Sequence, residues 1–144
     1  MSREIKPPLS QAAPTTALTP PSLDQIDALA RQAIETIPAA LAAHVTGVVI
    51  RVEDFVDTAT MRAMGLRSPL DLLGLYHGTP IPGKSVSYAQ SHIDMIFLYR
   101  RPILEHWLRT GEALDAIVRH VLIHEIGHHF GFSDDDMARI ERAD

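Results

Sequence analysis

Cysteine is absent from the chain, so neither disulfide bonds nor thiolate ligands can contribute to its structure or chemistry. A bound metal ion would therefore be held by histidine and carboxylate side chains. Long apolar runs are absent too. No stretch approaches the roughly 20 residues of a membrane span, and the first residues lack the apolar core of a signal peptide. These absences predict a cytoplasmic protein without a membrane partner.

Clusters of basic residues are also lacking. The 13 Lys and Arg residues are outnumbered by 18 Asp and Glu residues, which gives a formal net charge of −5. No basic run is longer than Arg100-Arg101, so the charge pattern does not indicate nucleic-acid binding. A length of 144 residues suits one domain with a hydrophobic core and is short for two.

Proline is distributed unevenly. Five of the ten prolines fall within residues 1–21, among Ser, Thr, Gln and Ala residues. Such a segment cannot bury enough apolar area to offset the entropy that ordering would cost. We therefore predict a disordered tail over residues 1–21 and a folded domain over residues 22–144.

Helical periodicity begins directly after this tail. Ser22 and Gln25 have the spacing of a capping box, and apolar residues follow at helical intervals until Pro38 ends the pattern. A shorter helix is predicted over residues 57–64, ending at Gly65. The domain is therefore expected to open with a helix.

Three segments have the pattern of β-strands. Residues 48–53 alternate between two sets of side chains, which predicts a half-buried strand. Residues 73–83 contain too much glycine and proline for a central strand and suit an edge strand that runs into a turn. Residues 93–99 are apolar on both faces apart from Asp94, which predicts an inner strand.

Two helices are expected after the last strand. Pro102 suits a first helical position, and Gly111 ends the helix that it begins. The longest periodic segment then runs from Glu112 to Phe130. Its apolar stripe, which we expect to pack beneath the sheet, consists of Leu114, Ile117, Val118, Val121, Leu122 and Ile126.

The end of this helix carries the most informative run of the chain, residues 124–134, which read H-E-x-x-H-x-x-G-x-x-D. Residues four apart on a helix lie about 40° apart around its axis, so His124 and His128 can bind one ion. Gly131 can adopt the left-handed conformation that ends a helix, which would return Asp134 towards the same face. The run predicts a Zn²⁺ site with His124, His128 and Asp134 as ligands.

Glu125 follows the first of these ligands and can reach the open side of the metal without binding it. Zn²⁺ with three protein ligands lowers the pKa of a bound water to about 7 and polarises a substrate carbonyl. Glu125 would take the proton of the water and later pass it to the leaving amine. The run therefore predicts amide hydrolysis with Glu125 as the general base.

Neighbouring residues leave alternatives open. Asp134 could instead be the N-cap of a last short helix over residues 135–142, or could cap and bind metal together. His120 and His129 are further candidate ligands, which we expect to support the site or lie on the surface. Glu141 is another carboxylate, for which we expect a solvated position on the last helix.

The motif is similar to that of the zincins, and more narrowly to the metzincin signature H-E-x-x-H-x-x-G-x-x-H or D. With residues 97–103 and 118–136, the chain resembles the small bacterial zincin-like metallopeptidases, which have a minimal metzincin-like fold. The resemblance implies the same three ligands, the same base and Gly131 as the turn residue. It also implies an α+β fold, in which a mixed sheet of three to four strands packs on the active-site helix with further helices.

The chain departs from the larger metzincins after the third ligand, where they have a subdomain with a methionine turn beneath the zinc. Ten residues follow Asp134, and Met137, the only methionine among them, is expected to be an apolar residue of the last helix. One wall of the substrate pocket would then be missing or supplied by another chain.

A substrate peptide could still be held at the predicted edge strand. Extended peptides add as a strand to an exposed sheet edge, which here lies near residues 75–79. Tyr76, His77 and Tyr88 are candidates for stabilising an oxyanion, and a packing role is the alternative for each.

These residues support three functional hypotheses. The first is a zinc-dependent metallopeptidase that hydrolyses small or unfolded peptides, which the presence of Glu125 favours. The second is a metal-binding zincin-fold protein with little or no turnover, acting as a binding or regulatory module, which the missing pocket wall favours. The third is a purely structural ion. We rank the peptidase first, with a peptide or protein substrate as its partner and a monomer or small homo-oligomer as its state.

Overall fold

The computed structural model describes residues 18–78 and 93–142. Within these ranges the chain forms six α-helices, a 3₁₀ turn at Pro69–Asp71 and three β-strands. The helices are α1 (Leu23–Glu35), α2 (Ala39–Ala42), α3 (Thr58–Ala63), α4 (Arg100–Thr110), α5 (Leu114–His129) and α6 (Asp134–Arg142), and the strands are β1 (Val49–Glu53), β2 (Gly74–His77) and β3 (Met95–Tyr99). None of the helices in the described ranges is long and apolar enough to cross a membrane.

The predicted tail lies largely outside the described residues. Only residues 18–21 of it are described, and they have no regular structure. The carbonyl oxygen of Pro21 accepts a hydrogen bond from Nε of Arg100 at 2.6 Å, which fixes the point where the chain enters α1.

The three strands form one mixed sheet in the order β1-β3-β2. The central strand β3 is parallel to β1 and antiparallel to β2. Its position follows from its composition, because Ile96 and Leu98 are fully buried. The predicted inner strand at 93–99 and half-buried strand at 48–53 are confirmed. The edge strand predicted within 73–83 is also confirmed as β2, although residues 79–83 lie outside the described part of the chain.

The capping box at Ser22 is confirmed at the start of α1. Ser22 Oγ accepts from the Gln25 N–H at 3.1 Å, and Gln25 Oε1 accepts from the Ser22 N–H at 2.8 Å. Two orphan donors of the first turn are thereby satisfied. The helix ends at Glu35, three residues before Pro38, and Pro38 instead precedes the short helix α2.

Helix α4 begins earlier than predicted. It follows β3 without a linker, with Tyr99 as its N-cap, so that Pro102 is its third residue and not its first. Proline is tolerated there because N–H groups of the first turn have no partner within the helix. The end of α4 is as predicted, since Gly111 adopts φ +74°.

Helix α5 lies at the centre of the fold and packs against α1, β2 and β3. Its residues Val118, Leu122 and Ile126 are fully buried, which confirms the apolar stripe, whereas Leu114 is only partly buried. The chain is therefore an α+β domain in which a small mixed sheet of three strands packs on one long helix, with further helices around it.

Gly74 lies at a close approach of β2 to α5. A methyl group at this position would lie 2.6 Å from Val121 Cγ1 and 3.1 Å from the Phe97 carbonyl oxygen. We expect Gly74→Ala to lower the free energy of unfolding by about 1–3 kcal/mol, because a packed interior must shift to admit the methyl group. Urea unfolding followed by circular dichroism measures this change.

A second substitution tests the cause. Val121→Ala removes the clashing methyl group, so the double variant should lose less stability than the sum of its single variants. Val118→Ala, on the preceding turn of α5, is the matched control. Combined with Gly74→Ala, it should lower the free energy of unfolding by the sum of the two single effects. If the losses in free energy of unfolding are additive for Gly74→Ala with Val121→Ala as well as for Gly74→Ala with Val118→Ala, the close approach at Gly74 is contradicted.

Candidate metal centre

Three histidines of α5 occur at intervals of four residues, namely His120, His124 and His128. The ring centres of His120 and His124 are 4.0 Å apart, and those of His124 and His128 are 5.8 Å apart. This proximity follows from the helix, in which residues four apart are neighbours on the surface. Helix α5 therefore presents a row of three imidazoles, one more than the predicted pair.

The chain turns back sharply after α5. Gly131 has φ +83°, its N–H donates to the His128 carbonyl at 3.2 Å, and the Phe132 N–H donates to the Gly127 carbonyl at 2.8 Å. These two bonds form a Schellman motif, which satisfies carbonyl groups of the last turn. The turn predicted at Gly131 is confirmed.

Ser133, and not Asp134, caps the next helix. Ser133 Oγ accepts from the Asp136 N–H at 3.0 Å, and the Asp136 carboxylate accepts from the Ser133 N–H at 3.2 Å. The alternative in which Asp134 is the N-cap is therefore wrong, as is a start at residue 135, since α6 begins at Asp134. Because the serine hydroxyl occupies the capping role, the Asp134 side chain can face α5.

Asp134 lies against the end of the histidine row. Its Oδ1 is 3.0 Å from His128 Nε2. One nitrogen or oxygen atom from each of His124, His128 and Asp134 lies within 4.8 Å of the other two. The structure thus brings together the three residues predicted as ligands, and the turn at Gly131 is what allows it.

Glu141 also faces α5, which the sequence interpretation missed. Its Oε1 lies 3.2 Å from His124 Nε2 and its Oε2 lies 3.1 Å from His120 Nδ1. Its side chain is only 25% exposed, so the expectation of a solvated position is wrong. The missed signal is periodicity: Glu141 follows Asp134 by two helical turns, which places both on one face of α6.

Met137 lies between Asp134 and Glu141 on α6 and packs this helix against α5. It is fully buried, and its thioether packs on Gly127, the residue before His128. A side chain at Gly127 would collide with it. Met137 is therefore an apolar residue of the last helix, as predicted, and its contact sets the separation of the two helices.

His124 is the least exposed of the three histidines, at 25% of its side chain. Burial lowers the pKa of its imidazole, and the neighbouring His120 lowers it further, while Glu141 opposes both effects. A lowered pKa favours the neutral imidazole, which is the form that binds metal ions.

Glu125 lies on α5 beside this cluster, but it does not belong to the groups of converging His and carboxylate atoms found among the described residues. Burial raises the pKa of Glu125, and the nearby His128 and the backbone N–H of Tyr76 in β2 partly offset this rise. Glu125 is thus a desolvated carboxyl group between the helix and the sheet.

Tyr76, one of the candidate oxyanion residues, has other partners in the structure. The Tyr76 hydroxyl donates to Asp94 Oδ2 at 2.7 Å, and its ring stacks on His129 at 3.9 Å between centres. Tyr76 is therefore a packing residue, which is the alternative given for it above. His77 is exposed at the end of β2, and Tyr88 lies outside the described residues.

A helix that carries H-E-x-x-H beneath a small mixed sheet, followed by a glycine turn and a facing aspartate, is the arrangement of a zincin-type metal site. The model of the zincin-like metallopeptidase family matches residues 45–143, so the chain belongs to that family. No curated protein sequence matches the chain significantly. Membership implies a metal ion, usually zinc.

The contact between Gly127 and Met137 predicts a coupled loss of stability and metal affinity. We expect Gly127→Ala to displace Met137 and with it α6, lowering the free energy of unfolding by about 1–3 kcal/mol. The same displacement should weaken Zn²⁺ retention, measured as zinc per chain after dialysis against a chelator.

Gly111→Ala is the control, because it strains a left-handed glycine at the end of α4 where an added methyl group meets open space. It should cost about 1–2 kcal/mol without changing zinc retention. Equal zinc retention by the Gly127 and Gly111 variants would show that the contact does not position the site.

Proposed function

We propose that this protein is a zinc-dependent metallopeptidase that hydrolyses small or unfolded peptides, with His124, His128 and Asp134 as the zinc ligands and Glu125 as the general base. The observation that carries the proposal is the convergence of the three ligand atoms within 4.8 Å of one another, beside a desolvated carboxyl group. Family membership supports both the metal and the class of reaction.

The three converging side chains suit Zn²⁺. Two imidazole nitrogens and one carboxylate oxygen form a donor set of catalytic zinc sites, which keep a fourth position open. The side chains of His128 and Asp134 are 55% and 82% exposed, so this position is accessible from solvent. When bound, zinc would make a water molecule more acidic and polarise the scissile carbonyl group.

In this proposal Glu125 moves the protons of the reaction. It lies three residues before His128, and residues three apart on a helix are neighbours. Its raised pKa makes it a stronger base than an exposed carboxylate and brings it nearer to neutral pH. Glu125 would accept a proton from the attacking water and donate it to the amine as the C–N bond breaks.

The position of β2 supports an extended peptide as the substrate. Within the described sheet, β2 is hydrogen-bonded to β3 on one side only. The Tyr99 N–H donates to the Leu73 carbonyl, so in this antiparallel register the N–H of Tyr76 points away from β3, to the outer edge of β2 near Glu125. A peptide that added to this edge as a further strand would run directly past the Glu125 carboxylate.

The nearby Tyr76 N–H supports the second candidate function, a metal-binding protein with little or no turnover. It partly offsets the raised pKa of Glu125, which weakens this carboxylate as a base, and a peptide at this edge would compete for the same N–H. We rank this function second because a carboxyl group next to converging metal ligands is what hydrolysis requires and what a binding role does not.

The ligand set predicts the metal content of two variants. Wild-type protein purified without added metal should carry about one zinc per chain. In the Glu141→Gln background, which lacks the other carboxylate that faces the histidine row, Asp134→Ala should carry markedly less, because a site left with imidazoles alone binds more weakly. Inductively coupled plasma mass spectrometry gives the ratio. Asp135→Ala is the matched control, as it removes the next exposed carboxylate of the same helix turn. Wild-type protein that binds no zinc even after reconstitution would contradict the proposal that the protein is a hydrolase.

The role of Glu125 predicts a variant that keeps its metal and loses its activity. Glu125→Gln should retain wild-type zinc while kcat/KM falls by about 10²–10⁴-fold, because glutamine cannot take up the proton. A library of fluorescence-quenched peptides provides the assay. Glu105→Gln, which alters an exposed carboxylate on α4, should leave both values unchanged. Peptide binding without hydrolysis, in wild type and variant alike, would establish the second function instead.

A further inference from the structure

The contacts between α5 and α6 form two overlapping triads. The first triad is His124, His128 and Asp134, and the second triad is His120, His124 and Glu141. In each one, two histidines four residues apart on α5 meet one carboxylate from α6, and one ligand atom from each member lies within 4.8 Å of the other two. The second triad therefore repeats the geometry of the first, one helical turn towards the start of α5.

We propose that the second triad is a distinct binding position for a divalent cation of the zinc type. Its two imidazoles and one carboxylate are ligands that Zn²⁺ and Co²⁺ accept. Because both triads share the His124 imidazole, the two positions are proposed as alternatives for one ion. The proposal rests on the proposed function only in taking the first triad as the catalytic position.

The distances within the second triad suit a shared ion. Two atoms bound to one zinc ion at about 2.1 Å in tetrahedral geometry lie about 3.4 Å apart. Glu141 Oε1 and Oε2 lie 3.2 Å and 3.1 Å from nitrogens of His124 and His120. Small side-chain rotations would therefore convert these hydrogen bonds into ligand pairs.

Burial favours Glu141 as a metal ligand. Its side chain is 25% exposed, whereas that of Asp134 is 82% exposed. A side chain that is already held between two helices loses less rotamer entropy on binding an ion. The second triad can therefore compete with the first for His124.

An ion in the second triad would lie away from the general base. Glu125 is three residues from His128, which places the two side by side on the helix, but five residues from His120, which places them on different faces. The second triad is accordingly a storage position, from which the ion reaches Glu125 only by exchanging Glu141 and His120 for Asp134 and His128.

Cobalt binding to variants of the full chain tests this position. His128→Ala with Asp134→Ala removes two ligands of the first triad and leaves the second intact. Isothermal titration with Co²⁺, and the visible absorption of bound Co²⁺, should show about one ion per chain in this double variant. Adding Glu141→Gln should weaken Co²⁺ binding by about tenfold or more, whereas adding Glu112→Gln should not.

Glu112 is the matched control because it forms another exposed histidine–glutamate pair, with His106 at 2.8 Å, outside both triads. Equal Co²⁺ affinity of the double variant with and without Glu141→Gln would overturn the proposal. His128→Ala alone, made with and without Glu141→Gln, provides the same comparison if the double variant does not fold.

Two further chains separate this proposal from the proposed function. One is the wild type, and the other carries His120→Ala together with Glu141→Gln. The storage position fails, and the catalytic site stands, if the variant with His120→Ala and Glu141→Gln keeps its zinc while the variant with His128→Ala and Asp134→Ala binds no Co²⁺. If removing the first triad leaves wild-type affinity, the ligand set of the proposed function fails and the second triad stands.

Discussion

The packing of α6 against α5 is the contact on which the candidate site depends. Both carboxylates that face the histidine row come from α6, and the fully buried Met137 holds that helix at van der Waals distance from Gly127. A glycine in the middle of a helix costs helix stability. Here the missing side chain allows two backbones to approach, so that an aspartate and an imidazole from different helices come within 3.0 Å.

The two faces of α5 place its titratable side chains in different surroundings. On the face towards α6, each of the three imidazoles has a carboxylate oxygen within hydrogen-bond distance. On the face towards β2, Glu125 is desolvated and lies near the backbone N–H of Tyr76. In the roles proposed for them, the adjacent residues His124 and Glu125 need opposite charge states: the imidazole binds an ion in its neutral form, and the carboxyl group acts as a base in its ionised form.

The features that the sequence predicts well are local or strongly patterned. The capping box at Ser22, the turn at Gly131 and the buried stripe of α5 each depend on residues close together in the chain. The apolar composition of β3 also sufficed to place it in the centre of the sheet. Glu141 was missed because its environment is created by a long-range contact: only after α6 docks does a polar residue of a short helix become largely buried.

The turn at Gly131 has a consequence for how the protein could be switched off. Asp134 and Glu141, the carboxylates within hydrogen-bond distance of the histidine row in the described part of the chain, lie after this turn, whereas the sheet, the histidines and Glu125 lie before it. A single proteolytic cut between Gly131 and Ser133 would therefore separate the two halves of the site while leaving the strands and α1 to α5 covalently intact. The cut chain would keep its nitrogen donors. The packing of Met137 and Ile140 on the core and the hydrogen bonds between the carboxylates and the histidines would then be what retains its oxygen donors.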